Sequence, residues 1–127
     1  MQPKRLLMID DDPAMGDFVR NVAIPLGYAV ETYVEARGFK SSVVRADPDV
    51  IILDLSMPET DGIELMRFLA ETGTRAKIFI MSGFGTKFLD VGANLGRAHG
   101  LTIVDIVPKP VRVAELRKIL SQQLSDQ

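Results

Sequence analysis

The sequence predicts a three-layer α/β domain, a parallel sheet with helices on both faces. Two observations carry this. Five short apolar runs lack the polar-apolar alternation of a half-exposed strand, as expected of strands buried on both sides. Between them lie segments with apolar residues at helical spacing, most of them closed by Gly or Pro.

Leu6 to Ile9 is the first strand and ends at Asp10-Asp11-Asp12-Pro13. Asp12 is a good N-cap and Pro13 suits the first helical position, so a helix begins there. Met15, Phe18, Val19, Val22 and Leu26 carry its apolar face, and Gly27 ends it. Tyr28 to Thr32 is the second strand. A weaker helix follows over Glu35 to Arg45, damaged by Gly38 and closed before Pro48. Val50 to Leu53 is the clearest buried strand, delivering Asp54 at its carboxyl end. A polar loop, Leu55 to Asp61 with Pro58, leads to a helix over Gly62 to Glu71. Lys77 to Met81 is the fourth strand, ending at Ser82-Gly83. Phe84 to Lys87 reads as an extended loop before a helix over Phe88 to His99, which Gly100 stops. Leu101 to Val107 is the fifth strand, followed by Pro108-Lys109-Pro110. Val113, Leu116, Ile119, Leu120 and Leu124 mark the last helix.

The 127 residues fit one domain over 1–127, with no repeat, low-complexity tract or linker. With 46% hydrophobic and 25% charged residues, the composition is that of a soluble globular protein. A net charge of −2 and the lack of a basic cluster argue against direct nucleic-acid binding. No segment approaches membrane-spanning length or a signal-peptide core, so no membrane contact is expected. The absence of cysteine removes disulfides, thiolate metal sites and thiol nucleophiles, and suits a cytoplasmic setting.

Parallel sheets of this kind bind ligands at the carboxyl ends of their strands, beside the point where strand order reverses. Those ends carry Asp10-Asp11-Asp12, Asp54, Ser82 and Lys109. With the order 2-1-3-4-5, strands one and three are neighbours, and Asp10, Asp11 and Asp54 converge. Carboxylates that close need a compensating cation. An all-oxygen set without His or Cys favours a hard ion such as Mg2+. Singly, each residue has a plainer reading: a helix cap, a turn residue, a solvated lysine. Polar residues at the functional end of four strands together point to a site for accepting a phosphoryl group.

Four stretches carry a resemblance spanning nearly the whole chain: Met8-Ile9-Asp10-Asp11-Asp12-Pro13, Ile52 to Pro58 with Asp61-Gly62, Met81-Ser82-Gly83, and Lys109-Pro110. They resemble the receiver domains of two-component response regulators. The resemblance implies a flavodoxin-like (βα)5 fold with a five-stranded parallel sheet in the order 2-1-3-4-5. It implies Asp54 as phosphoacceptor, fed by a phosphohistidine on a histidine kinase or histidine phosphotransfer protein. It further implies Asp11, Asp54 and the backbone carbonyl of Ser56 as Mg2+ ligands, with Asp10 acting through a water. Lys109 would pair with the acceptor and then the phosphoryl oxygens, Ser82 would bond the phosphoryl group, and Lys109-Pro110 would be cis. The domain would then be a switch acting on a downstream output domain or protein, and not a metabolic enzyme.

Two features depart from the pattern. Ile106 stands where many receivers have an aromatic residue, and the stretch from Ser82 to Lys109 is several residues longer than in compact receivers. Phe84 to Lys87, with Asn94 to Leu101 before Pro108-Lys109-Pro110, is similar to receivers fused to cyclic-di-GMP phosphodiesterase domains. The chain is therefore a stand-alone receiver or a piece of something larger. Ile106 also keeps an alternative in view, a pseudo-receiver that binds proteins without phosphate control. A phosphohydrolase of the dehalogenase type is disfavoured, because Ser56 stands where such enzymes carry a second Asp. Gly83 to Lys87 lacks the residue order of a phosphate-binding P-loop. His99 is expected at a helix C-terminus, as a partner of its dipole.

Overall fold

The computed structural model describes residues 2–55, 62–83 and 86–125. Strands β1 (Arg5–Ile9), β2 (Ala29–Tyr33), β3 (Val50–Asp54), β4 (Lys77–Ser82) and β5 (Thr102–Pro108) alternate with helices α1 (Pro13–Ala23), α2 (Ala36–Ala46), α3 (Gly62–Thr72), α4 (Thr86–Ala98) and α5 (Val113–Ser125). All strand pairings are parallel and the order is β2-β1-β3-β4-β5, as expected.

The unalternating apolar runs are explained by two cores, one on each face of the sheet. Successive strand residues point to opposite faces. Leu7, Ile9, Ile51, Leu53, Ile78 and Ile80 pack on one side with Phe39, Leu65 and Leu69 from α2 and α3. Leu6, Met8, Val50, Ile52, Phe79 and Met81 pack on the other with Val19, Leu116 and Leu120 from α1 and α5. Every residue of β3 is buried, so Asp54 is carried to the strand end by a segment packed on both faces.

The helix starts follow their local chemistry. Asp12 caps α1 by accepting from the Ala14 backbone N–H at 3.0 Å, with Pro13 in the first turn. Pro25 ends the α-helix early: Ile24–Leu26 form a 3-10 turn, and Gly27 closes it at φ 107°. Helix α2 runs unbroken through Gly38, where a Cβ would lie 3.0 Å from the Tyr33 ring. The glycine expected to damage this helix instead admits the ring.

One expectation about the long stretch before Lys109 changes. Thr86 and Lys87 belong to α4 and not to an extended loop, whereas Phe84 and Gly85 lie outside the described residues. The stretch contains a bulge in β5: Ile78 pairs with Ile103 but Phe79 pairs with Asp105, so Val104 is one residue in excess. The bulge places Ile103 and Ile106, three residues apart, on the same core.

Candidate functional site

Asp10 and Asp54 stand at the carboxyl ends of the neighbouring strands β1 and β3, whose last paired residues are Ile9 and Leu53. Strand order reverses here, since β1 lies between β2 and β3. Asp11, exposed on the turn into α1, completes a trio in which one carboxylate oxygen from each residue lies within 4.8 Å of the others. An Asx turn fixes Asp10, whose Oδ1 accepts from the Asp12 backbone N–H at 3.0 Å. That turn explains why the triplet serves both site and cap: Asp10 faces inward while Asp12 caps the helix.

Lys109 reaches the trio from the end of β5. Its backbone N–H donates to the Ser82 carbonyl at 3.0 Å, which registers β5 against β4, and the Lys109-Pro110 bond is cis, as expected. The Lys109 Nζ donates to Asp10 Oδ2 at 2.7 Å and lies 3.5 Å from Asp54 Oδ2. The lysine expected on the acceptor thus spans two carboxylates and sits closer to Asp10. Ser82 is fully buried at the end of β4, one residue beyond the Asp54–Met81 register pair.

The electrostatics follow from burial. The Asp10 carboxyl is held above the usual carboxylate range chiefly by desolvation, with the Asp54 charge adding to it. The Lys109 bond and the Asp12 N–H oppose that shift without cancelling it. For Lys109, burial alone would lower the ammonium's pKa, but its bonds and charge pairing with Asp10, then Asp54, push it up. Lys109 is therefore a cation at all physiological pH. Three carboxylates against one ammonium leave a deficit of positive charge that a divalent cation would offset. The set offers only oxygen donors, two buried and one exposed, which fits a hard ion that keeps part of its water shell.

The geometry brings together Asp10, Asp11, Asp54 and Lys109, with Ser82 on the adjoining strand end. Ser56 lies outside the described residues, as do Met57, Pro58 and Asp61 of the expected motif. Ile106 is half-buried, pairs in register with Ile80 and packs on the same core as Ile103, so no ring occupies this position. His99 is exposed just past α4, its N–H bonded to the Leu95 and Gly96 carbonyls at 3.1 Å each. Sequence reasoning missed the Asp10–Lys109 bond. Its one signal was that Lys109 and Asp10 end strands three places apart, with the Asp54 and Ser82 strand ends lying between β1 and β5.

Fold and site together define a flavodoxin-like signalling domain with an acidic cleft at its strand ends. The chain belongs to the response regulator receiver domain family, whose description matches residues 6–121. It is 31% identical over 119 residues to the response regulator MprA of Mycolicibacterium vanbaalenii, covering 90% of this chain and 47% of that protein. It is 32% identical over 106 residues to the C4-dicarboxylate transport transcriptional regulatory protein DctD of Pseudomonas aeruginosa, covering 84% of this chain and 22% of that one. The crystal structure of a response regulator from Colwellia psychrerythraea superposes with a TM-score of 0.86 at 29% identity, covering 98% of this chain and all of that one. The chain thus spans about half or less of the curated relatives it matches. It is a receiver domain homologous to phosphoacceptor response regulators, and the pseudo-receiver alternative is not favoured. Among the described residues, no helix is long and apolar enough to cross a membrane.

Proposed function

We propose that Asp54 is the phosphoacceptor of a switch charged by a phosphohistidine on a histidine kinase or histidine phosphotransfer protein in the cytoplasm. The observation that carries this reading is the convergence of Asp10, Asp11 and Asp54 within 4.8 Å, with the Lys109 ammonium 3.5 Å from the Asp54 carboxylate. An Asp54 oxygen attacks phosphorus, the phosphorus–nitrogen bond breaks, and the imidazole nitrogen leaves with the electron pair. Asp11, Asp54 and the Ser56 carbonyl, with Asp10 in support, would hold Mg2+, which would supply charge neutralisation between acceptor and donor. Lys109 holds Asp10 in place and lies within reach of the oxygens added at Asp54. Ser82 offers its hydroxyl to the same group. Hydrolysis of the acyl phosphate discharges the site, so the domain acts on itself and not on a pool of substrate.

The switch acts on an output domain or protein. Such an output is in keeping with the larger proteins that relatives such as DctD form. The segment Asn94 to Leu101 resembles receivers whose output is a cyclic-di-GMP phosphodiesterase. The test is labelling of the purified protein by a small phosphodonor such as acetyl phosphate with Mg2+. Label is expected in the wild type and in Asp12→Asn, lost in Asp54→Asn, and lost on chelation of the metal. Label that survives Asp54→Asn overturns the assignment.

A further inference from the structure

Leu55 follows Asp54 directly, is buried, and has a side chain without a polar atom. Its backbone N–H donates at 3.0 Å to the carbonyl of Met81, the residue before Ser82. One hydrogen bond therefore joins the chain beside both Asp54 and Ser82. The two methyl groups of Leu55 then fork into two helices, and each meets a glycine. A Cβ at Gly62, the first residue of α3, would lie 2.6 Å from Leu55 Cδ2 and 2.9 Å from Leu55 Cα. A Cβ at Gly92, inside α4, would collide with Leu55 Cδ1. Both helices can sit this close only because they present bare backbone. Glycine weakens a helix interior, so the contact at Gly92 needs a reason.

The contacts continue along α4. A Cβ at Gly96, one turn on, would lie 3.0 Å from Ile103 Cδ1 and 3.1 Å from Met66 Sδ. Arg97 Nη2 donates to the Ile103 carbonyl at 3.1 Å. Ile103 immediately precedes the bulged Val104, which is exposed on the edge strand. A rotamer change can absorb a shift between two side chains, but backbone has no such freedom. The helix backbone at Gly92 cannot turn aside as a side chain can, so a displacement of Leu55 bears directly on α4.

We propose that Leu55 is a positioning residue that transmits the state of Asp54 to α4 and the β5 edge, a task Ile106 has no ring to perform. The relay rests on the reading of Asp54 as acceptor.

The experiment treats 15N-labelled protein with acetyl phosphate and Mg2+. It measures the phosphorylated fraction by intact mass and follows the amide signals of Arg97 and Val104. Leu55→Met keeps the volume but loses the branch that fills both contacts, and Leu55→Ala removes both. If Leu55→Ala does not fold, Leu55→Met decides. Both variants keep Asp10, Asp11, Asp54 and Lys109 and are expected to take up label. Their shifts at Arg97 and Val104, per phosphorylated molecule, are expected to fall below about half of the wild-type values. Shifts beside the site, at Gly83 and Lys109, are expected to persist.

Wild-type shifts at Arg97 and Val104 in the phosphorylated variants overturn the relay. Loss of label in the variants, with Mg2+-induced shifts at Asp11 retained, also overturns it, because Leu55 would then serve the acceptor alone. A wild type that takes no label removes the reading of Asp54 and the relay with it.

Discussion

Replacing Lys109 by methionine removes an ammonium from between two buried carboxylates while keeping most of the apolar stem. Its Nζ lies 2.7 Å from Asp10 and 3.5 Å from Asp54, both with side chains 1% exposed. At an effective dielectric of about 20, these contacts carry gross attractions of about 6 and about 5 kcal/mol. The desolvation of the ammonium offsets much of that, and breaking such a buried pair leaves a net loss of about 3–5 kcal/mol. Asp10 has a way to relieve the loss, because burial already raises its pKa and removing Lys109 raises it further. A carboxyl whose folded pKa lies above its unfolded value contributes stability below the unfolded pKa and loses it as pH rises through the folded one. The deficit of the variant against wild type is therefore largest at neutral pH. It is expected to be about 3 kcal/mol near neutrality and measurably smaller near a pH of about 5. Urea unfolding of both proteins at the two pH values measures it, and added Mg2+ at neutral pH is expected to recover about 1 kcal/mol. A deficit independent of pH would refute the electrostatic reasoning and assign the loss to packing of the stem.

Two further tests concern the frame of the site. Tyr28 is buried, donates to the Leu120 carbonyl at 2.7 Å, and its phenol is pushed up to about 12 by burial and then by the Asp49 charge. Its contribution is complete below the ordinary value of 10.0 and is lost as pH rises to about 12, so wild type should lose about 2 kcal/mol more than Tyr28→Phe between about pH 8 and about pH 11.5. Parallel losses in denaturant unfolding would refute this. Gly62→Ala places a Cβ against the backbone of Leu55 and should lower stability by about 1–3 kcal/mol. An unchanged unfolding midpoint would show that α3 moves aside freely.

The strand ends were legible because burial on both faces leaves a continuous apolar run that stops where the sheet meets solvent. Leu53-Asp54 and Met81-Ser82 mark that boundary, and Asp12-Pro13 marks the helix that turns away from it. Hydrophobic period reports which face is buried, not where an α-helix gives way to a 3-10 turn. Leu26 keeps the helical spacing, yet Pro25 has already ended α1. The β5 bulge was hidden for a related reason. Ile103 and Ile106 share a face only because Val104 is in excess, and that is a property of pairing with β4. The preference of Lys109 for Asp10 depends on distances across three strands, which no local pattern encodes. The glycines at 62 and 92 read as helix positions until Leu55 was placed between them.

The excess residue in β5 has a consequence for assembly. β5 is an outer strand of the sheet, and an outer strand invites another chain to add to it. Addition in register needs an unbroken row of free donors and acceptors. Here the row is interrupted at Val104, and the neighbouring Ile103 carbonyl is already taken by Arg97. A partner that approaches this side must bind through side chains such as Val104 and Asp105, so any complex formed there is one of docked surfaces and not of a sheet extended from one molecule into the next.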